Sequence, residues 1–133
     1  MSNNDYVPLT GLERVVREGM AGVGGEDEII AELMRSRVFV PSATQCTPAG
    51  DNLTPLIVQG RRYEGPMIVV FDDTRHIAPE AARMAPYCLE MDATWLVQAT
   101  APDHGIVLFI GPATGCEISA GQIAEQRRLL TAS

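Results

Sequence analysis

Apolar residues recur at helical spacing near the start of the sequence. One helical face is formed by Leu12, Val15, Val16 and Met20. Thr10 and Glu13 form a capping box at the start of this helix. In a capping box, each side chain accepts a hydrogen bond from a backbone amide that has no partner within the helix. Glu26 begins a run of three acidic residues that suits the positive end of a second helix. The pattern therefore predicts two consecutive amphipathic helices.

Short apolar runs predict the strands. Val38–Val40 is β-branched and aromatic, and Pro41 is expected to end it because proline has no amide for a ladder. Leu53–Val58 and Pro66–Phe71 flank the segment QGRRYEG, which predicts a hairpin with its arginines at the tip. The second of these runs and Ile106–Ile110 are apolar without alternation. We expect both to be central strands with each face covered.

Two further helices are predicted in the second half of the sequence. Asp92 is expected to cap the first, and its predicted inward residues are Trp95, Leu96 and Ala99. Ser119 and Gln122 form a second capping box, and the inward residues predicted for the final helix are Ile123, Leu129 and Leu130. Tyr87–Met91 and Glu117–Ile118 are predicted to be short strands.

The order of these elements predicts the fold class. We expect a single α/β (α+β) domain over residues 1–133, with a mixed sheet of about five strands and helices packed on it. Residues 1–8 are expected to be flexible, and Ser42–Asn52 has the composition of a loop.

Charge excludes several classes of function. The formal net charge is −7, and all ten basic residues are arginine. Without lysine there is no P-loop lysine for phosphates and no Schiff base. An acidic chain without a basic stripe also lacks the phosphate-neutralising surface that nucleic-acid binding needs. We therefore expect no nucleic-acid partner.

Hydropathy and cysteine usage predict the compartment. The opening segment MSNNDYVPLT has no apolar core of a secretory signal, and no apolar run approaches the roughly 18 residues of a membrane helix. The three cysteines are widely spaced and form no CxxC motif. We expect reduced thiols, no membrane contact and a cytoplasmic location.

Three segments together resemble a known family. They are LMRSRVFVP (Leu33–Pro41), GPMIVVFDD (Gly65–Asp73) and DHGIVLFIGPATGCEIS (Asp103–Ser119). Their order is similar to that in the N-terminal domain family of SseB, the bacterial enhanced serine sensitivity protein. The resemblance extends from about Leu9 to Leu130.

The sequence departs from the family pattern at two points. Gly111 stands where the family usually has asparagine, and we expect no counterpart of the second, C-terminal domain that fuller members have. The resemblance implies a bacterial cytoplasmic α/β domain. It implies no settled activity and no catalytic residues to transfer.

Asp103, His104 and Cys116 offer an acid, a base and a thiol around one predicted strand. His104 and Cys116 lie at opposite ends of that strand, about 17 Å apart at ~3.3 Å per residue. A nucleophile and its base must lie within hydrogen-bonding reach. We therefore expect turn and packing roles for these residues and no catalytic set.

The end of the predicted central strand offers a possible ligand cleft. Asp72, Asp73 and His76 would form one lip, with Gly111 and Pro112 on the other, because ligands gather at the carboxyl ends of strands in α/β sheets. The alternative is that the aspartates only cap a helix. Magnesium would need further oxygen ligands that the sequence does not identify, so no metal and no cofactor are predicted.

The hairpin tip offers a second surface. Arg61, Arg62 and Tyr63 are residue types enriched at interface hot spots, although exposed arginines alone contribute little energy. The leading hypothesis is a non-enzymatic protein-interaction module that binds another protein or a second copy of itself. The rival hypothesis is a small-molecule-binding protein or enzyme that uses the cleft around Asp72, Asp73 and His76.

Overall fold

The structure, a computed structural model, describes residues 7–111 and 114–132. Its helices are α1 (Gly11–Met20), α2 (Glu26–Met34), α3 (Pro79–Met84), α4 (Ala93–Ala99) and α5 (Ala120–Ala132), with a 3₁₀ turn at Thr74–His76. Its strands are β1 (Arg37–Ser42), β2 (Ile57–Gln59), β3 (Pro66–Phe71), β4 (Tyr87–Asp92), β5 (Gly105–Phe109) and β6 (Gly115–Ile118). Flexibility was predicted for residues 1–8, of which residues 1–6 lie outside the described residues.

The strands form one mixed sheet. Its order is β4-β1-β3-β5-β6, and β2 pairs with β3 beside this path. β3 and β5 are parallel, with Val69 opposite Val107, while the other neighbours are antiparallel. The predicted α/β domain with a mixed sheet is confirmed, with six strands in the described ranges where about five were expected.

The two central strands are the ones predicted from unbroken apolar runs. Along β3, Met67 to Phe71 are all buried, and β5 is buried from Gly105 to Leu108. Each lies between neighbouring strands and has side chains on two covered faces, so neither face requires polar residues. The unbroken apolar runs therefore correctly predicted that β3 and β5 are central strands.

The two faces of the sheet are covered unequally. Four helices pack on the first face and form the main core with residues such as Leu12, Val16, Leu33, Leu96 and Ile123. The second face has a smaller buried cluster, Met67, Val69, Phe71 and Val107, to which α3 contributes only the partly buried Ala81. The second face is therefore the less protected side of the sheet.

Both predicted capping boxes are present, and the one at Thr10 differs from the expected pattern in one hydrogen bond. Ser119 and Gln122 exchange bonds, with Oε1 of Gln122 2.9 Å from the Ser119 amide and Oγ of Ser119 3.1 Å from the Gln122 amide. Thr10 accepts from the amide of Glu13 at 3.0 Å. The Glu13 carboxylate, however, accepts the amide of Leu9 at 2.7 Å, one residue before the expected donor.

The predicted end of β1 at Pro41 is wrong. The strand continues to Ser42, and Pro41 lies opposite Cys88 of β4. β1 pairs with β3 only at Phe39, so the edge of β1 that faces β3 is unpaired with that strand at Pro41. A proline at such an edge removes no ladder hydrogen bond. The hairpin strand predicted from Leu53 is also shorter, because β2 begins at Ile57.

Three residues predicted to face inward lie on the surface. Trp95 is 42% exposed, Ala99 is exposed, and Leu129 is 48% exposed. In α4 the inward residues are Ala93, Leu96 and Val97, and Trp95 precedes Leu96 by one position, which rotates it by about 100° on a helix of 3.6 residues per turn. Asp92 occupies the N-cap of α4 without a side-chain cap bond, and it pairs with Arg37 at 3.0 Å instead.

The helices are short. The longest described helix is α5, with 13 residues. Within residues 7–111 and 114–132, no helix combines the length and the apolar character needed to cross a membrane.

Candidate functional site

Asp72 turns inward where β3 ends. Its carboxylate is buried, and Oδ1 lies 2.6 Å from Nδ1 of His76. Thr10, the N-cap of α1, donates its hydroxyl to Oδ2 at 2.5 Å. The 3₁₀ turn places His76 four residues after Asp72, so the chain folds back and brings both side chains to one point.

Glu13 approaches the same histidine from α1. Its side chain is fully buried, and Oε1 lies 3.7 Å from Nε2 of His76. Nε of Arg17, one helical turn further on, donates to Oε2 at 2.8 Å. We call Thr10, Glu13, Arg17, Asp72 and His76 the buried polar cluster. It joins α1 to the end of the central strand.

The buried polar cluster has the residue types of a cation site. Glu13, Asp72 and His76 each offer one ligand atom, and these atoms lie within 4.8 Å of one another. The carboxylate oxygens, however, already accept bonds from an amide, a guanidinium, a hydroxyl and the imidazole. Glu13 and Asp72 also face different ring nitrogens of His76. The arrangement suits hydrogen bonding and charge pairing within the fold better than a metal ion.

Asp73 points away from the buried polar cluster. Its Oδ1 accepts the amide of Arg75 at 2.9 Å and caps the 3₁₀ turn, while the Arg75 guanidinium donates to both carboxylate oxygens at 2.8 and 2.9 Å. This hydrogen bonding lowers the pKa of Asp73 to about 2. The structure thus places Asp72 and His76 together but gives Asp73 a separate capping role.

The other predicted lip of the cleft lies at the same edge of the sheet. The amide of Asp72 donates to the carbonyl of Phe109 at 3.2 Å, because parallel β3 and β5 end side by side. Gly111 follows two residues later and is buried. Pro112 lies outside the described residues. The cavities described below are lined by other residues.

The hairpin loop is fixed by a carboxylate from β6. Glu117 accepts three successive amides, from Arg61 at 2.7 Å, Arg62 at 3.0 Å and Tyr63 at 3.1 Å. Burial alone would raise the pKa of Glu117, but the three amides outweigh it and hold the pKa below its usual value. We call these three backbone amides the amide cradle.

Side chains of the loop are also tied to the helices. Arg62 pairs with Glu26 of α2 at 2.8 Å and lies over the ring of Tyr63 at 5.2 Å. The Tyr63 hydroxyl donates to the same Glu26 at 3.3 Å, and Gln122 of α5 donates to its other oxygen at 2.7 Å. Arg61 makes no ion pair with any residue in the described ranges. Of the two loop arginines, Arg61 is therefore the one without a salt bridge in the described ranges, although its charge acts on Glu117.

Two cavities flank the loop. The helix-side cavity, of about 400 Å³, lies between α1, α2, β6 and the loop and is lined by residues that include Val16, Met20, Ile29, Arg61, Arg62 and Cys116. The sheet-face cavity, of about 490 Å³, lies on the second face and is lined by residues that include Val58, Arg61, Met67, Val107, Phe109 and Glu117. Arg61 borders both. Volumes of 300–1,000 Å³ are typical of ligand sites.

The possible acid, base and thiol near β5 remain separated along the sheet. Asp103 pairs with His104 at 2.8 Å before β5 begins, whereas Cys116 lies opposite Leu108. Burial raises the pKa of the Cys116 thiol, which is the reverse of what a nucleophilic cysteine requires.

Sequence reasoning missed Glu117 and Glu13 as organising residues. Glu117 acts on amides 54 to 56 positions away, a distance over which no local pattern operates. Glu13 was identified as a cap, but its burial against His76 depends on tertiary packing. A glutamate in an otherwise weakly polar strand, GCEI, was the available signal for the first of them.

Comparisons with known proteins agree with the fold and the resemblance. A search of curated proteins found no match, and a search of solved structures found none either. The family profile described as the SseB protein N-terminal domain matches residues 12–125. This match spans the main core helices, the whole sheet and the start of α5. The chain therefore belongs to the SseB N-terminal domain family.

Proposed function

We propose that this domain is a protein-interaction module whose contact surface is the hairpin loop and the sheet-face cavity beside it. The main observation in favour is the amide cradle. Glu117 holds the loop backbone in place through these amides, and Arg61, which makes no salt bridge within the described ranges, lies at the border of the sheet-face cavity.

The second face of the sheet supplies apolar contact area. Ile57 and Val58 of β2 are 44% and 43% exposed, and Phe109 is only partly buried although it stacks on Phe71 with centroids 5.4 Å apart. Exposed apolar groups rimmed by polar residues are typical of protein contact sites. The surface beside Arg61 therefore favours an apolar side chain of a partner.

The fixed loop lowers the cost of binding. Ordering a flexible segment on association consumes part of the interaction free energy, so a surface that is ordered beforehand binds more tightly. Glu117 orders Arg61, Arg62 and Tyr63 through their backbones, and Glu26 engages two of their side chains. The loop can therefore be used without first being ordered.

Charge favours a partner with a carboxylate. Arg61 would pair with an acidic side chain placed next to the apolar one, and arginine is enriched at interface hot spots. A second copy of this chain, at a net charge of −7, would be opposed by repulsion between like-charged molecules. We therefore favour a different protein as the partner and treat self-association as the alternative outcome.

The test is affinity capture of tagged full-length chain from host lysate, read by quantitative mass spectrometry. The variants are Arg61→Ala and Val58→Asp, and the matched controls are Arg83→Ala and Val23→Asp, which change exposed residues elsewhere. We expect one protein to be recovered with the wild type and both controls and lost with both test variants. Equal recovery across all five chains would contradict the proposal.

A further inference from the structure

The helix-side cavity has the form of a small-molecule site. It has a volume of about 400 Å³, is open to solvent on one side and is bordered by α1, α2, β6 and the hairpin loop. This volume lies within the range of pockets that bind small organic ligands. It is separate from the sheet-face cavity, although Arg61 borders both.

The floor of this cavity is apolar. Val16 and Ile29 are core residues that are 1% and 7% exposed, and Gly19 leaves room beside them. Burial raises the pKa of the Cys116 thiol, so near neutral pH this side chain is uncharged and behaves as a small apolar group. The cavity floor would therefore bind the apolar part of a ligand.

The charged groups at the cavity mouth differ in how many hydrogen bonds and salt bridges they already make. Glu117 accepts three amides, and Glu26 accepts bonds from Arg62, Tyr63 and Gln122. Arg61 makes no salt bridge among residues 7–111 and 114–132, and its charge acts on Glu117 without one. The group at the mouth with most capacity for a further partner is therefore a single guanidinium, which binds carboxylates, sulfonates and phosphates.

We infer that the helix-side cavity binds a small organic monoanion, with the apolar body on the floor of Val16, Ile29 and Cys116 and the anionic group on Arg61. The inference is argued from the helix-side cavity and not from the proposed protein contact in the other cavity. Both would engage Arg61, so the small anion and the partner protein would compete for its guanidinium. One apolar floor and one available cation specify a ligand that has both an apolar part and one negative charge.

The test uses 8-anilinonaphthalene-1-sulfonate, an aromatic monoanion, as the probe of the full-length chain. Its neutral counterpart, N-phenyl-1-naphthylamine, lacks the sulfonate and serves as the ligand control. We expect saturable binding of one probe molecule per chain by fluorescence titration. Arg61→Ala should weaken binding of the anionic probe by about tenfold or more, since a hydrogen bond to a charged group is lost, and should leave the neutral probe nearly unaffected.

Three variants locate the site. Met20→Trp places a bulky side chain at the helix-side cavity, and Met84→Trp is its control on α3, at a methionine of matching exposure, 67% against 66%. Val58→Asp alters the sheet-face cavity alone. We expect only Met20→Trp to abolish binding, with all variants retaining the wild-type urea midpoint. Loss with Val58→Asp rather than Met20→Trp, or the absence of saturable binding, would overturn the inference.

Discussion

His76 lies between two buried carboxylates, with Nδ1 2.6 Å from Asp72 and Nε2 3.7 Å from Glu13. His76→Ala would leave these acids facing each other without the imidazole. Leaving a buried hydrogen-bonding group without its partner costs about 1–3 kcal/mol of unfolding free energy. We expect a loss of this size, measured from urea denaturation at pH 7.

The neighbouring residue supplies the control for this substitution. Arg75→Ala removes an exposed ion pair with Asp73 one position before His76. Surface pairs contribute little to stability, so we expect a much smaller change. If the two substitutions shifted the urea midpoint equally, the buried polar cluster would not be the stabilising feature that its geometry indicates.

Asp73 makes stability depend on pH at low values. Its pKa falls from 3.8 to about 2 on folding, chiefly through hydrogen bonding to Arg75. A carboxylate with a lowered folded-state pKa stabilises the fold fully above 3.8, and this contribution disappears as pH falls towards 2. We expect the stability difference between wild type and Asp73→Asn to shrink over that interval. Urea midpoints from pH 5 to pH 2 measure it, and a constant difference would contradict the assignment.

At the scale of residues, local roles were predictable and distant ones were not. The caps at Thr10 and Ser119 were identified because each partner lies three positions away. The contacts of Glu117 with the loop, and of Glu13 with His76, join segments more than fifty residues apart. These contacts depend on the packing of the complete sheet, which leaves no local spacing to detect.

At the scale of elements, the loop before β2 approaches α4 closely at Gly50. Gly50 has φ +92°, and a Cβ there would lie 2.9 Å from the ring of Trp95. Gly50→Ala therefore combines backbone strain with a clash. Gly22→Ala, at φ +88° with nothing within 4 Å, has the strain alone.

We expect these two substitutions to differ in cost. A left-handed backbone costs an alanine about 1–2 kcal/mol, so Gly22→Ala should lose about that much unfolding free energy. Gly50→Ala should lose more and should also change the fluorescence of Trp95. Urea denaturation followed by tryptophan fluorescence measures both effects, and equal losses would show that Trp95 does not hold the loop.

Glu117 is expected to order the hairpin loop. Glu117→Gln removes the negative charge of the carboxylate that the amide cradle binds. Hydrogen bonds to charged groups contribute about 1.5–3 kcal/mol. Amide hydrogen exchange of Arg61, Arg62 and Tyr63 should therefore accelerate on the order of tenfold, while β5 stays protected. Glu125→Gln on α5 is the control, and unchanged exchange in the loop would contradict the role of the cradle.

Elements were predicted best where burial was uniform. The unbroken apolar runs of β3 and β5 identified central strands, because both faces of these strands are covered. The short α4 misled because a seven-residue helix has too few turns for its apolar residues to specify a single face. Trp95 was therefore assigned to the core although it covers the loop at Gly50.

At the scale of the whole molecule, the two faces of the sheet differ in role. The first face carries the main core, and the second carries the proposed contact surface. The first face supports four helices and the main core, whereas α3 and the hairpin loop cover the second face only in part. The fold class was predictable because element order and apolar content determine it. The surface around Arg61 was predictable only as a hairpin tip, since both cavities arise where distant segments meet.

The most direct test of the proposed interaction surface is capture of a partner by wild-type chain and by Glu117→Gln under native conditions. The substitution changes no side chain of the hairpin loop itself and removes the charge to which the loop backbone is hydrogen-bonded. We expect recovery of the partner to fall with Glu117→Gln although both chains remain folded at the temperature of the capture, as far-ultraviolet circular dichroism would show. Equal recovery by the two chains, or no stoichiometric partner with either, would contradict the proposal that the ordered loop is a protein contact.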